Sequence, residues 1–238
     1  MQLSERQNLI LSKIVEDYIN SAKPVSSQFL EEEYDFDISP ATIRIEMQKL
    51  TDGGYLFQPH TSAGRVPTDK AYRFFVDRLF EDELSKFDIE ESDIRDWFEK
   101  EIENTFKFIQ SLTKHLALAS SALALSYLSK EKFLWKEGWE EILKEPEFNE
   151  REQVINFTEF LNNFEENIEK IKADSGIKIY IGKENIFPKA KDFAVISSKF
   201  FLPEEGETIL ALLGPKRMAY SKNISLIKSL TEFLKDFE

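Results

Sequence analysis

Between Ser39 and Asp69 the chain is punctuated tightly enough to leave few folds open. Ser39-Pro40 is a helix start: a capping hydroxyl, then a proline whose fixed φ suits the first helical position. Ile43, Met47 and Leu50 recur at i, i+4 and i+7, so one face of this helix is apolar. Gly53-Gly54 stops it. Tyr55-Leu56-Phe57-Gln58 then reads as a short strand, Pro59 to Gly64 as a turn, and Arg65-Val66-Pro67 as the return strand. Thr68-Asp69 opens a further helix through Tyr72, Phe75 and Leu79. Two more helices precede this block. Ser4, with Gln7 three residues on, forms a capping box for a helix to about Ser21, which Pro24 ends. Val25-Ser26-Ser27 caps a short second helix from Gln28 to about Tyr34, and Asp35 to Ile38 is a turn. Three helices followed by a hairpin are the plan of a winged helix-turn-helix, expected over residues 1–80.

Beyond it the pattern is looser. Residues 81–115 read as an acidic helical linker, with an apolar stripe of Trp97, Ile102, Phe106 and Ile109 suited to a partner helix. Residues 116–172 read as further helices, broken near Gly138 and Pro146. From Gly176 the period changes. Ile177 to Ile181, Phe193 to Phe200 and Ile209 to Leu213 read as strands, with Gly214-Pro215 ending the third. A last helix is expected from about Ser221 to Phe237. The predicted class is α+β, mostly helical.

Composition excludes several functions. The chain has no cysteine, so disulfides, thiolate catalysis and Cys-based zinc sites are impossible. Of its two histidines, His60 lies in the hairpin and His115 in a helix, and they lack metal-ligand spacing. No Gly-x-Ser-x-Gly, phosphate-binding glycine loop or HExxH occurs. The expectation is a non-enzyme without cofactor or metal. Met1 to Arg6 shows no basic region leading into an apolar core, and the run Leu116 to Leu128 is too short to span a bilayer, holds three serines and reads as a buried helix. A cytoplasmic protein with no membrane partner is therefore expected.

The net charge of −13 argues against a protein that coats nucleic acid along its whole length. The acidity is unevenly placed: residues 1–80 carry −3, and Thr42 to Arg78 carry +2. A helix entering the major groove needs an apolar face to dock it and a polar face to read bases. The helix after Ser39 offers both. Its capped N-terminus at Ser39 can face a phosphate. Thr42 and Gln48 can hydrogen-bond base edges or phosphates, Arg44 can pair with guanine or a phosphate, and Ile45 can touch a thymine methyl. The hairpin tip adds His60, Thr61, Ser62 and Arg65, and the following helix adds Lys70 and Arg73 as phosphate contacts. A winged-helix module for protein interaction or ligand sensing, without operator-specific DNA binding, is the alternative. The segment Gly214 to Met218 is open to two readings, an anion pocket or a strand-to-helix turn.

These residues carry a specific resemblance. Val25-Ser26-Ser27, the stretch Ser39-Pro40-Ala41-Thr42-Ile43-Arg44 and the run Gly54 to Asp77 resemble the HrcA family of heat-inducible transcription repressors. Leu213 to Lys222, Tyr180 to Asn185 and Pro146-Glu147-Phe148 resemble the same family's later segments. The resemblance implies a winged helix joined to a GAF-like α+β domain, here in reduced form over 116–238. It implies a homodimer on double-stranded DNA bearing an inverted-repeat operator of chaperone operons. It also implies release on heat shock and help from a GroEL-type chaperonin. Two departures stand out. Ile45 occupies a position where the family usually has asparagine. The chain is also shorter than the family pattern, the gap falling between about Leu118 and Lys130, which implies loss of the inserted dimerising subdomain.

Overall fold

Ser4 opens helix α1 (Glu5–Ser21) through the expected reciprocal cap: its Oγ accepts from the Gln7 amide at 3.3 Å, and the Gln7 side chain accepts from the Ser4 amide at 3.1 Å. The computed structural model describes residues 3–81, 105–171, 176–202 and 206–235. The chain divides into two compact units, Met1–Glu83 and Leu84–Glu238.

In the first unit α1 buries Ile10, Leu11, Ile14 and Val15 on one face. Ser26 caps α2 (Ser27–Glu33), and Ser39 caps α3 (Pro40–Asp52), which turns Ile43, Met47 and Leu50 inward. Strands β1 (Leu56–Phe57) and β2 (Val66–Pro67) form an antiparallel hairpin with Phe57 opposite Val66, and α4 (Asp69–Glu81) follows. One element escaped the sequence reading. Val25, expected only as part of a helix start, pairs across to Arg65 through two backbone hydrogen bonds of 2.9 and 2.7 Å. The approach is close enough to dictate a glycine beside it: a Cβ on Gly64 would lie 2.4 Å from the Val25 carbonyl oxygen.

The second unit is α+β. Helix α5 (Thr105–Ser120) leads into β3 (Leu123–Leu128), then come β4 (Phe133–Glu137), the short α6 (Trp139–Ile142), α7 (Arg151–Glu166), β5 (Lys178–Ile181), β6 (Phe193–Leu202), β7 (Gly206–Pro215) and α8 (Tyr220–Lys235). The five strands form one antiparallel sheet in the order β4-β3-β7-β6-β5, consistent with a GAF-like unit.

Two expectations are corrected here. The apolar run Leu116 to Leu128 is not a single buried helix. The helix ends at Ser120, Ser121 takes a left-handed φ of 54°, and the rest is β3. Nor is 116–172 all helical, since β3 and β4 both fall within it. The cause is burial on two sides. Every residue of β3 is buried, so it shows none of the apolar–polar alternation that marks a half-exposed strand. Gly138, read as a helix breaker, marks a close approach instead: a Cβ there would sit 2.4 Å from the Ala122 carbonyl oxygen, where φ is 104°.

Alternate strand residues face opposite layers. Leu123, Leu125, Val195, Ala211 and Leu213 pack with Phe157, Phe160 and Phe164 of α7, and with Phe148 and Phe187. Phe193 lies at the centre of this cluster, 5.1 Å from Phe157 and 5.4 Å from Phe160. Truncating a ring such as Phe160 to alanine costs ~3–5 kcal/mol. On the other face Ser126 of β3 meets Thr113 of α5, hydroxyl to hydroxyl at 2.6 Å. Of the expected apolar stripe, Trp97 and Ile102 lie outside the described residues. Ile109 is buried, and Phe106 is exposed except for an edge contact with Phe133. From Thr105 onward the expected linker is therefore a helix packed on the sheet.

Candidate nucleic-acid interface

The buried face of α3 is held by a carboxylate as well as by its apolar side chains. Glu46 is 7% exposed and accepts from the Gln7 side-chain Nε2 at 3.0 Å and from Lys49 Nζ at 3.0 Å. Burial pushes its carboxyl up, but the hydrogen bonds from Lys49 and Gln7 outweigh it and hold the group below its ordinary value. Gln7 thus closes the cap of α1 with its oxygen and anchors α3 with its nitrogen.

This anchoring leaves Ala41, Arg44, Ile45, Gln48 and Lys49 facing outward. Ile45 is 55% exposed, a large apolar side chain on the outward face of the helix. Thr42 is tied to the cap, its hydroxyl 3.1 Å from that of Ser39. The hairpin tip stands beside this face. His60, Thr61 and Ser62 are exposed, and the side chain of Gln58 donates to the carbonyls of Thr61 and Ala63 at 3.0 and 2.9 Å, which fixes the shape of the tip. Between helix and tip lies an open groove of about 470 Å³. Arg44, Met47 and Gln48 line one wall, Gln58 and Thr61 to Arg65 the other, and Ser26 and Ser27 the end.

The cations are not equivalent. Arg44 is exposed and faces the groove. Arg65 is turned onto α3: its Nε donates to Thr51 Oγ1 and its Nη2 to Gln48 Oε1, both at 3.1 Å. Lys70 donates to the Gly53 carbonyl at 2.8 Å and lies over the Tyr55 ring at 4.1 Å, so it closes the end of α3. Arg73 is half-buried and pairs with Asp77 at 3.5 Å. The structure thus brings Arg44, Gln48, Thr61, Ser62 and Arg65 to one groove, with Ser39, Thr42 and Ile45 on the same helix. It places Lys70 and Arg73 on α4 with partners of their own. Ser26, Ser27 and Gln58 also line the groove, though the sequence marks none of them as a DNA contact. A serine beside a helix cap and a glutamine in a strand carry no signal until the hairpin folds against them.

In the second unit the segment Gly214 to Met218 resolves to a turn. Arg217 is 7% exposed and grips Glu147 with two nitrogens, at 2.6 and 2.9 Å, while Glu145 takes a further bond. Burial pulls its guanidinium down, but the two carboxylates outweigh that and raise it above its ordinary value. Its charge is spent on Glu145 and Glu147. His115 is exposed on α5, its Nδ1 2.8 Å from the Ser111 carbonyl oxygen. Among the described residues no helix is long and apolar enough to cross a membrane, and no group of three His, Cys, Asp or Glu could hold a metal ion.

A family model described as the HrcA protein C terminal domain matches residues 70–224. The heat-inducible transcription repressor HrcA of Natranaerobius thermophilus is 28% identical over 331 aligned positions, covering 98% of this chain and 96% of its own. That of Alkaliphilus metalliredigens is 27% identical over 336 positions, covering 99% and 98%. Both alignments are longer than the 238 residues of this chain, so each relative carries segments that this chain lacks. A crystal structure described only as that of a hypothetical protein shares the fold at a TM-score of 0.78 and 22% identity, covering 99% of this chain and 97% of that one.

Proposed function

The chain belongs to the HrcA family, and on that premise we propose that it is a sequence-specific DNA-binding transcription repressor of heat-shock chaperone operons. In this reading residues 1–80 are a winged helix-turn-helix, 81–115 a linker that passes into the second domain within α5, and 116–238 a reduced GAF-like dimerisation and regulatory domain. A homodimer places two copies of α3 in successive major grooves, roughly 34 Å apart on an inverted repeat. Occupancy of the promoter blocks transcription and heat relieves it, with a GroEL-type chaperonin as helper.

The observation that carries the reading is the shared groove. Arg44 and Gln48 of α3 and Thr61 and Ser62 of the hairpin tip line it together, and Ile45 stands exposed on the same helix. A buried Glu46 and a fixed tip hold both in place. That arrangement suits a helix in the major groove with the hairpin on the flanking backbone, Arg44 toward a guanine edge or phosphate and Ile45 toward a thymine methyl.

The test is a binding titration of the full chain against a duplex carrying the chaperone-operon inverted repeat and against a scrambled duplex, at two salt concentrations. Tight, salt-sensitive binding with a large preference for the repeat supports the reading. Equal affinity for both duplexes refutes it. Arg44→Ala should cost on the order of 1–3 kcal/mol on the repeat and relax the preference at one position.

A further inference from the structure

The contacts of Gln48 are unusual for an exposed glutamine in a candidate reading face. Its Oε1 accepts from Arg65 Nη2 at 3.1 Å, and its Nε2 donates to Asp52 Oδ1 at 2.8 Å. The two partners settle which end of the amide is which. A guanidinium only donates and an ionised carboxylate only accepts, so the reversed amide would set nitrogen against the cation and oxygen against the anion. Arg65 is in turn fixed, by its bond to Thr51 and by its backbone pairing with Val25. Each end of the Gln48 amide still has one position left, a lone pair on Oε1 and one hydrogen on Nε2. Gln48 lines the groove, and one acceptor and one donor on a single amide are the pair that adenine requires for N6–H and N7 in the major groove.

We propose that Gln48 reads an adenine, and that Arg65 and Asp52 are positioning residues that hold its amide in the reading orientation. The inference rests on the DNA-binding reading above and deepens it. It also reassigns Arg65, which sequence alone placed among phosphate contacts. Its charge faces Gln48 and Thr51, so its effect on DNA is to be sought in base preference rather than in general affinity.

The experiment uses the full chain and an inverted repeat selected by that chain from a random duplex pool. Each adenine of the repeat is replaced in turn by 7-deazaadenine, which lacks the N7 acceptor. In the wild type one adenine in each half-site should lose about tenfold in affinity on replacement, the discrimination of one good bidentate contact. Gln48→Ala should be insensitive to that replacement. Arg65→Lys keeps the charge but not the fork, and should lose most of the sensitivity while the dependence of affinity on salt stays the same. Asp52→Ala should lose it too, with affinity for a scrambled duplex unchanged or raised. Adding Arg65→Lys to Gln48→Ala should change nothing further.

Three results with DNA would overturn the proposal. One is a repeat with no N7-sensitive adenine. The second is Arg65→Lys retaining full sensitivity. The third is Arg65→Met weakening repeat and scrambled duplex equally, with a salt slope shallower by about 0.9, the mark of a lost phosphate contact. A wild-type chain that selects no sequence at all defeats the function itself. A readout without DNA separates the two failures: the side-chain amide resonances of Gln48 should be well ordered in the free wild type and averaged in Arg65→Lys and Asp52→Ala. Averaged resonances in the wild type would sink the positioning role on their own.

Discussion

Replacing Gly64 by alanine should loosen the first unit by a predictable amount. Gly64 does not have a left-handed backbone, so alanine meets no conformational objection there. The obstacle is space. The new Cβ would lie 2.4 Å from the carbonyl oxygen of Val25, 2.5 Å from its carbon and 2.8 Å from the carbonyl carbon of Pro24. All three are backbone atoms and cannot swing aside, so the segments must part. Parting them breaks the two Val25–Arg65 hydrogen bonds of 2.9 and 2.7 Å. At about 0.5–1.5 kcal/mol each, the loss is about 1–3 kcal/mol. For a domain of this size each kcal/mol lowers the midpoint by about 4–8 °C, so a 2 kcal/mol loss moves it by about 8–16 °C. Trp135 and Trp139 lie in the second unit, on β4 and α6. Their fluorescence should be unmoved while far-UV circular dichroism shows the early transition of the first unit. Hydrogen exchange at the Val25 and Arg65 amides should accelerate in parallel. Gly54→Ala is the control: with φ at 75° and nothing within 4 Å of the added carbon, it meets only the left-handed backbone cost of about 1–2 kcal/mol. A Gly64→Ala chain with wild-type protection at Val25 and Arg65 would refute the steric argument.

Other outcomes follow from buried charge. Arg217→Met leaves Glu145 and Glu147 without their cation and should destabilise the second unit by on the order of 2–4 kcal/mol, visible in tryptophan emission; a loss under about 1 kcal/mol would mean the carboxylates find solvent unaided. Glu46 has a folded value below its ordinary one, so its contribution is complete above the usual glutamate range and disappears as pH falls through the depressed value. Glu46→Gln should remove that part of the acid sensitivity of the first unit, and an unchanged acid profile would count against it. Tyr34 donates to Asp17 at 2.8 Å, and burial together with that carboxylate pushes its phenol up to about 12. Ultraviolet titration should therefore find tyrosine ionisation near 12, and Tyr34→Phe should shrink that late step by one tyrosine. A late step of unchanged size in Tyr34→Phe would contradict the hydrogen bond.

The helices of the first unit were legible because their signals are local. Ser4, Ser26, Ser39 and Pro40 sit within four residues of what they cap, and Gly53-Gly54 adjoins the helix it ends. β5 and β6 were found by alternation and β7 by a short apolar run that Gly214-Pro215 ends, but β3 was not, because its run continues that of α5 with no glycine or proline to divide them. β4 was missed as well: it is five residues long, at the sheet edge. The candidate site shows the same division. Arg44, Ile45 and Gln48 could be placed on one face by helical spacing alone. That Arg65 turns onto Gln48, seventeen positions away, or that Arg217 meets Glu147 seventy positions away, follows only from the fold.

The pairing of Val25 with Arg65 also bears on the heat of DNA binding. A hairpin free to sway would lose conformational entropy each time it met a backbone. Here the tip is pinned at its base by that pairing and across its turn by Gln58, so its ordering belongs to folding. Association should then show the heat-capacity change of desolvated surface alone, without the larger one that accompanies a segment folding on its target.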